Sequence, residues 1–196
     1  MADTLLPLFL DLRRSSVLLV GGGSVAQAKL QALRAAGGAP RIVAARVSPA
    51  FRIEAEGLEL HERAFTPSDL DGVRLVVSAT NDGATNAAIA EAARRRDIWV
   101  NAVDDPGACD AYFASTLRRG PLTLAVSTGG AFPGLGRHLR RALEPLLPEA
   151  DEALLHQLAG LRNRLRARLP DPERRSAVLR ELLTEFERRY LPGATP

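Results

Sequence analysis

One cysteine, Cys109, one lysine, Lys29, one tryptophan and one methionine are all that the 196 residues hold of these four types. A single thiol leaves no internal disulfide and no multi-cysteine metal site. That usage suits a reducing compartment, so a cytoplasmic location is expected. The three histidines, His61, His138 and His156, lack metal-ligand spacing, so no built-in metal is expected. Aromatics make up 5% of the chain, and no strip alternates them with basic residues, which disfavours a nucleic-acid partner. No apolar run approaches the roughly 18 residues of a membrane helix, so no membrane partner is expected either. The opening stretch "MADTLLPLFLDLRR" has a short apolar patch without a basic leader or a small-residue cleavage site, and does not read as a signal peptide.

What is present is a globular composition. Hydrophobic residues are 46% and charged residues 25%, with a net charge of +3. Of the 26 basic residues all but Lys29 are arginine. Arginine forks match carboxylates and phosphates, but the bias also reads as the imprint of a GC-rich genome.

The first hundred residues alternate strand and helix. "VLLVG" (17–21) is a short apolar run of strand type. Residues 24–36 form a helix that Ser24 can cap and Gly37-Gly38 can end. "RIVAA" (41–45) is a second strand, a weaker helix follows Pro49, and "LELHERA" (58–64) alternates like an edge strand. "VRLVVSAT" (73–80) is a buried strand, 83–96 a helix with arginines in its last turn, and "DIWVNAV" (97–103) a further strand. Such alternation implies an α/β, Rossmann-like fold with a mostly parallel sheet. After residue 108 the pattern changes. "AYFASTLRRGPLTLAVST" (111–128) reads as a β-hairpin joined by "RRGP". The segments 134–146, 150–168 and 172–190 read as amphipathic helices. The division expected is a nucleotide-binding domain at 1–110, a dimerisation and substrate region at 111–146, and a helical module at 147–196.

Three glycines close the first strand. Gly21-x-Gly23-x-x-Ala26 fits the dinucleotide fingerprint between a strand and a helix. Gly21 makes the turn, Gly23 lets a pyrophosphate approach, and Ala26 allows close packing. A plain strand-to-helix turn is the competing reading. The acidic residue that usually holds the ribose is missing from "VAARVSP" (43–49), where Arg46 is the only charge. An arginine there can favour NADP, or can be solvated.

Four ordered stretches, "LPLFLDLRRSSVLLVGGGSVAQAK", "SATND" (78–82), "VNAVDDPGACDAYFAS" (100–115) and "LAVSTGGAFPGLGRHLR" (124–140), resemble the siroheme synthase N-terminal family. The resemblance runs from about Leu6 to about Arg141. These are precorrin-2 dehydrogenases, some of which also insert ferrous iron into sirohydrochlorin. The resemblance implies NAD as cofactor, with NADP left open, a homodimer, and precorrin-2 and sirohydrochlorin as tetrapyrrole ligands. The cofactor set it implies is Gly21, Gly22, Gly23, Ser24, Val25, Ala45, Arg46, Thr80 and Asn81. The substrate set is Asn101, Thr128, Gly129 and Gly130. The family's aspartate for dehydrogenation and chelation falls on Asp104. Because the sequence stops at 196, a form without a methyltransferase module is expected. Some members are phosphorylated at the position of Thr128. The family's "S/T-G-G-x-S-P" reads "TGGAFP" here, so Phe132 replaces a small polar residue, and "FAS" (113–115) lacks the proline often found before the small residue.

The residues themselves support that chemistry. Oxidising precorrin-2 removes a hydride and then a proton from a macrocycle with eight carboxylates. Asp104 stands just past a parallel strand, where open α/β sheets place ligands, and partial desolvation there can suit a carboxylate to base work. Alternatively Asp104 and Asp105 only form a turn before Pro106. "STGG" can form an anion nest. Arg118, Arg119, Arg137, Arg140 and Arg141 can meet carboxylates, although each singly reads as a solvated charge. A short-chain dehydrogenase needs Tyr-x-x-x-Lys, but Tyr112 leads to Thr116 and Tyr190 to Ala194. A dinucleotide-sensing regulatory domain without activity explains the glycines but neither "NAVDDP" nor "STGG".

Overall fold

The computed structural model describes residues 5–190. Two compact units make up the chain: the first takes residues up to Phe113 together with Gly129–Ala131, the second Ala114–Thr128 and residues from Phe132 on.

The first unit is a five-stranded parallel sheet. Its strands are β1 (Val17–Val20), β2 (Arg41–Val43), β3 (Leu60–His61), β4 (Leu75–Ser78) and β5 (Trp99–Ala102), in the order β3-β2-β1-β4-β5. Every neighbouring pair is parallel, with Leu18 opposite Arg41 and Val76, and Val77 opposite Asn101. Central strands covered on both faces must be apolar throughout, and all four residues of β1 and of β4 are buried. Alternate side chains feed two cores. Val17, Leu19, Ile42 and Val77 pack with Ala26, Leu30 and Leu33 of α1 (Ser24–Ala35) and Phe51 of α2 (Pro49–Glu54). Leu18, Val20, Val76 and Val100 pack with Ile89, Ala90 and Ala93 of α3 (Gly83–Arg94). The order reverses beside β1, so a crevice opens at the carboxyl ends of β1 and β4, the switch point where such sheets bind ligands.

All five strands are shorter than their patterns predict, β3 most of all. The stretch 58–64 pairs only at Leu60–His61, because Arg63 turns away to Asp69, donating to both carboxylate oxygens at 2.8 and 2.6 Å. Asp69 also accepts from the Thr66 amide at 2.8 Å. With so short a neighbour, β2 stops at Val43 instead of Ala45.

The second unit pairs β6 (Ser115–Arg119) antiparallel to β7 (Leu122–Val126), with Leu117 opposite Leu124. Its helices are α4 (Pro133–Leu143), α5 (Glu152–Arg168) and α6 (Pro172–Tyr190). Gly136 of α4 lies against the hairpin, where an added Cβ would stand 3.4 Å from the Val126 carbonyl oxygen. Leu117 and Leu147 are the centre of a small cluster with Leu122, Leu124, Leu143 and Phe186. The hairpin and the helical tail thus share one unit. No helix among the described residues is long and apolar enough to cross a membrane.

Candidate functional site

The glycine loop is built by close approach. Gly21 has φ +128°, and a Cβ there would stand 2.3 Å from the carbonyl oxygen of Ala79. Any other residue would wedge β1 from β4, so this position demands glycine. Its amide donates to the Val43 carbonyl at 2.9 Å, which ties the turn to β2. Gly22 accepts at its carbonyl from the Ser48 amide at 3.0 Å. Gly23 differs: an added Cβ would meet nothing within 4 Å. The space a dinucleotide phosphate needs is therefore open in front of Gly23, and the helix behind it offers free amides and a positive dipole end. The loop residues fit such a group.

One expectation is corrected here. Ser24 does not cap α1. It is the first helical residue, Gly23 occupies the cap, and no side chain closes the end. A capping hydroxyl would occupy amides that an anion can use instead. Ser24 and Val25 begin the helix with exposed side chains, Ala26 is fully buried, and Ala45 and Arg46 are exposed beyond β2, next to the loop.

Thr80 and Asn81 follow β4. Asn81 is exposed. The Thr80 hydroxyl lies 2.7 Å from Asn86 Oδ1 and 3.0 Å from the Asp82 carbonyl. Sequence reasoning missed Asn86. Buried in α3, its Oδ1 also accepts from Ser78 Oγ at 2.6 Å, and its Nδ2 donates to the Thr80 carbonyl at 3.2 Å. It pins the end of β4 to α3. An asparagine among alanines near a helix start was the available signal, since asparagine is a poor interior helix former. Asp82 caps α3, accepting from the Ala84 and Thr85 amides at 3.1 and 3.2 Å. Those bonds, led by the one from the Thr85 hydroxyl, hold its carboxyl below the usual range.

The carboxyl end of β5 carries the acidic loop. Asp104 is exposed at φ +62°, a left-handed conformation that aspartate and asparagine tolerate best among side-chain-bearing residues. Among the described residues its carboxylate takes part in no hydrogen bond or ion pair. Asp105 has the turn role: its carboxylate accepts from the Ala108 amide at 3.2 Å and caps a short 3-10 helix, Pro106–Ala108. The two aspartates that the sequence left side by side are thereby separated. Cys109 lies behind the loop, its sulfur 3.2 Å from the Ala102 amide and 3.1 Å from the Ala102 carbonyl, and burial pushes its thiol up.

Asn101 is 6% exposed on the α1 side of the sheet. Its Nδ2 donates to the Ala111 carbonyl at 2.8 Å, and its buried Oδ1 has no partner among the described residues. Gly129 and Gly130 pack in the first unit against Leu5 and Tyr112. Thr128 belongs to the second unit, where its hydroxyl accepts from the Phe132 amide at 3.0 Å at the start of α4. Among the described residues no group of three or more His, Cys, Asp or Glu is placed to hold a metal ion.

A parallel sheet in this order, with a glycine turn at its switch point and an open phosphate approach, defines a Rossmann dinucleotide-binding protein. Residues 8–115 match the family model described as "Putative NAD(P)-binding", and the chain belongs to that family. It is 44% identical over 172 residues, 87% of its length, to a siroheme synthase of Methylococcus capsulatus, covering 36% of that protein. A siroheme synthase 1 of Pectobacterium atrosepticum is 43% identical over 84% of this chain and 35% of its own length. The chain thus spans about a third of the curated relatives it matches. Among solved structures, "SirC, precorrin-2 dehydrogenase" is similar with a TM-score of 0.68 and 27% identity, over 94% of this chain and all of that one. The resemblance drawn from the four motifs is borne out by these relatives.

Proposed function

We propose that the protein is an oxidoreductase that converts precorrin-2 to sirohydrochlorin with NAD in siroheme biosynthesis. The observation that carries this reading is the shared carboxyl edge of one sheet. There the open approach at Gly23 follows β1 and the unpaired carboxylate of Asp104 follows β5, the two strands that flank β4 in one parallel sheet. The relatives named siroheme synthase and precorrin-2 dehydrogenase support the choice of substrate.

Bound at the glycine loop, NAD supplies a two-electron acceptor. Gly21 shapes the turn, the backbone amides from Gly22 to Val25 would hold its pyrophosphate, and Ala45 and Arg46 would flank the ribose. Asp104 accepts the proton that the oxidised macrocycle sheds, working as general base. Asn101, Gly129 and Gly130, all of the first unit, serve substrate binding. Ferrous iron insertion is a second use of the same base, Asp104 taking up protons that leave the pyrrolic nitrogens; iron is then substrate, not resident metal.

The second unit supports a homodimer. On α4, Leu135 and Leu139 are 43% and 46% exposed one turn apart, and Phe132 is 62% exposed. A stripe of that kind is normally covered. The protein works in the cytoplasm in this reading, with Cys109 reduced.

Mixing purified protein with precorrin-2 and NAD tests the function. NADH absorbance and the sirohydrochlorin spectrum should rise together. If neither appears, the reading is wrong.

A further inference from the structure

The only lysine of the chain has no ion-pair partner among the described residues. Lys29 lies half-buried in the second turn of α1, its Nζ 4.1 Å from the centroid of the Phe113 ring. Helical side chains lean toward their helix N-terminus, which here is the carboxyl edge of the sheet. Lys29 faces the thiol of Cys109 and the carboxylate of Asp104, yet no carboxylate among the described residues is close enough for an ion pair with it. Burial pushes the ammonium below its ordinary value, and Cys109 and Asp104 only partly oppose this. A second unmet group lies on the same face of the sheet. Asn101 Oδ1 is buried without a donor, and Asn101 shares that face with Val103 and Val77, which pack in the α1 core. Buried cations and acceptors in folded proteins find partners. Here the missing partners are an anionic oxygen and an N–H.

We propose that Lys29 is a substrate-binding residue that takes one carboxylate of the tetrapyrrole. This rests on the functional reading above. A macrocycle with acidic substituents offers the anionic oxygen that Lys29 lacks. The dinucleotide's phosphates are the other source of anionic oxygen, but the glycine loop and the first turn of α1 already serve them. Lys29 stands deeper, beside the loop that carries Asp104. The Phe113 ring holds the ammonium without neutralising it, so the cation waits for an anion. A carboxylate on Lys29 would bring the macrocycle next to Asp104.

The test is a visible-absorbance titration of sirohydrochlorin into wild type, Lys29→Met and Lys29→Arg, with NAD affinity measured separately by calorimetry. A charge-assisted bond of ordinary strength predicts that Lys29→Met weakens sirohydrochlorin at least about tenfold. NAD affinity should change less than about twofold, and Lys29→Arg should recover most of the loss. The octamethyl ester of sirohydrochlorin, which has no carboxylate charge, should bind wild type and Lys29→Met alike. A merely structural lysine would not separate acid from ester. Equal binding of the acid by wild type and Lys29→Met overturns the proposal. An equal loss of NAD affinity moves the anion to the cofactor and overturns it too. Wild type that binds no sirohydrochlorin removes the functional reading, and this inference with it. If Lys29→Met does not fold, wild type decides: ester bound as tightly as acid overturns the proposal.

Discussion

The two units bury their apolar residues very differently. In the first, both faces of the sheet are closed, and Leu18, Leu19, Leu30, Ile42, Phe51, Val76, Val77, Ile89 and Val100 are essentially inaccessible. In the second, Leu117, Leu147 and Leu155 are the buried hydrophobic side chains among the described residues, while Leu135, Leu139, Leu146 and Leu183 are each more than 40% exposed. A sheet covered by helices on both sides completes its own core within about a hundred residues. A two-stranded hairpin with helices on a few leucines does not. The first unit can therefore hold a site rigidly by itself, whereas the second has surface left for another molecule.

The largest effect should come from within the closed unit. Gly21→Ala adds a Cβ 2.3 Å from the Ala79 carbonyl oxygen at a left-handed φ. Strain and overpacking together should cost about 4 kcal/mol or more, read by denaturant unfolding. A loss under about 1 kcal/mol would show that the two central strands can part. Two residues on, Gly23→Asp should leave the melting temperature nearly unchanged, because its space is open, and abolish NAD binding by blocking the phosphate with a like charge. A folded Gly23→Asp with wild-type NAD affinity would move the cofactor elsewhere.

Asp104→Asn comes next. Asparagine accepts the left-handed backbone at φ +62°, so the loop should persist and NAD affinity hold. Turnover should fall at least about 100-fold, as expected for loss of a general base. A variant with more than half the wild-type rate would reduce Asp104 to a turn residue.

Leu139→Asp probes the open unit. It should turn a dimer into a monomer by sedimentation at micromolar concentration, without altering NAD affinity. A wild-type mass that is already monomeric would contradict the proposed interface.

The smallest effect expected is electrostatic. The Arg63 guanidinium beside Asp69, helped by the Thr66 bonds and opposed by burial, lowers its carboxyl from 3.8 to about 2. A carboxyl depressed in the folded state stabilises above its unfolded value. That contribution, about 2 kcal/mol, should fade as pH falls from about 4 to about 2. Asp69→Asn should remove that acid dependence and lower stability at neutral pH by about as much. An unchanged acid slope would assign it to other carboxylates.

Sequence patterns carried the first unit well. Buried strands are written as apolar runs and helices as three- and four-residue spacing, so β1, β4, β5, α1 and α3 were legible within a few residues. The hairpin was legible too, since its alternation and the Gly120-Pro121 turn are local. Edge lengths were not, because β3 ends where Arg63 meets Asp69, and nothing in "LELHERA" announces that pair. Ser24 misled for a related reason. Its type suits a cap, but the cap falls one residue earlier, at Gly23, which has open space before it.

By itself the sequence determined the alternation of elements, the glycine loop and the aspartate after the fifth strand. Each is a local pattern, fixed by which residues the backbone must bury or bend. Tertiary structure decided which of two adjacent aspartates became the cap and which stayed unpaired. It brought Lys29 over Phe113, 84 positions away by sequence number, and left Asn101 Oδ1 without a donor. Such pairs arise from where separate elements pack, and a linear pattern carries no term for them.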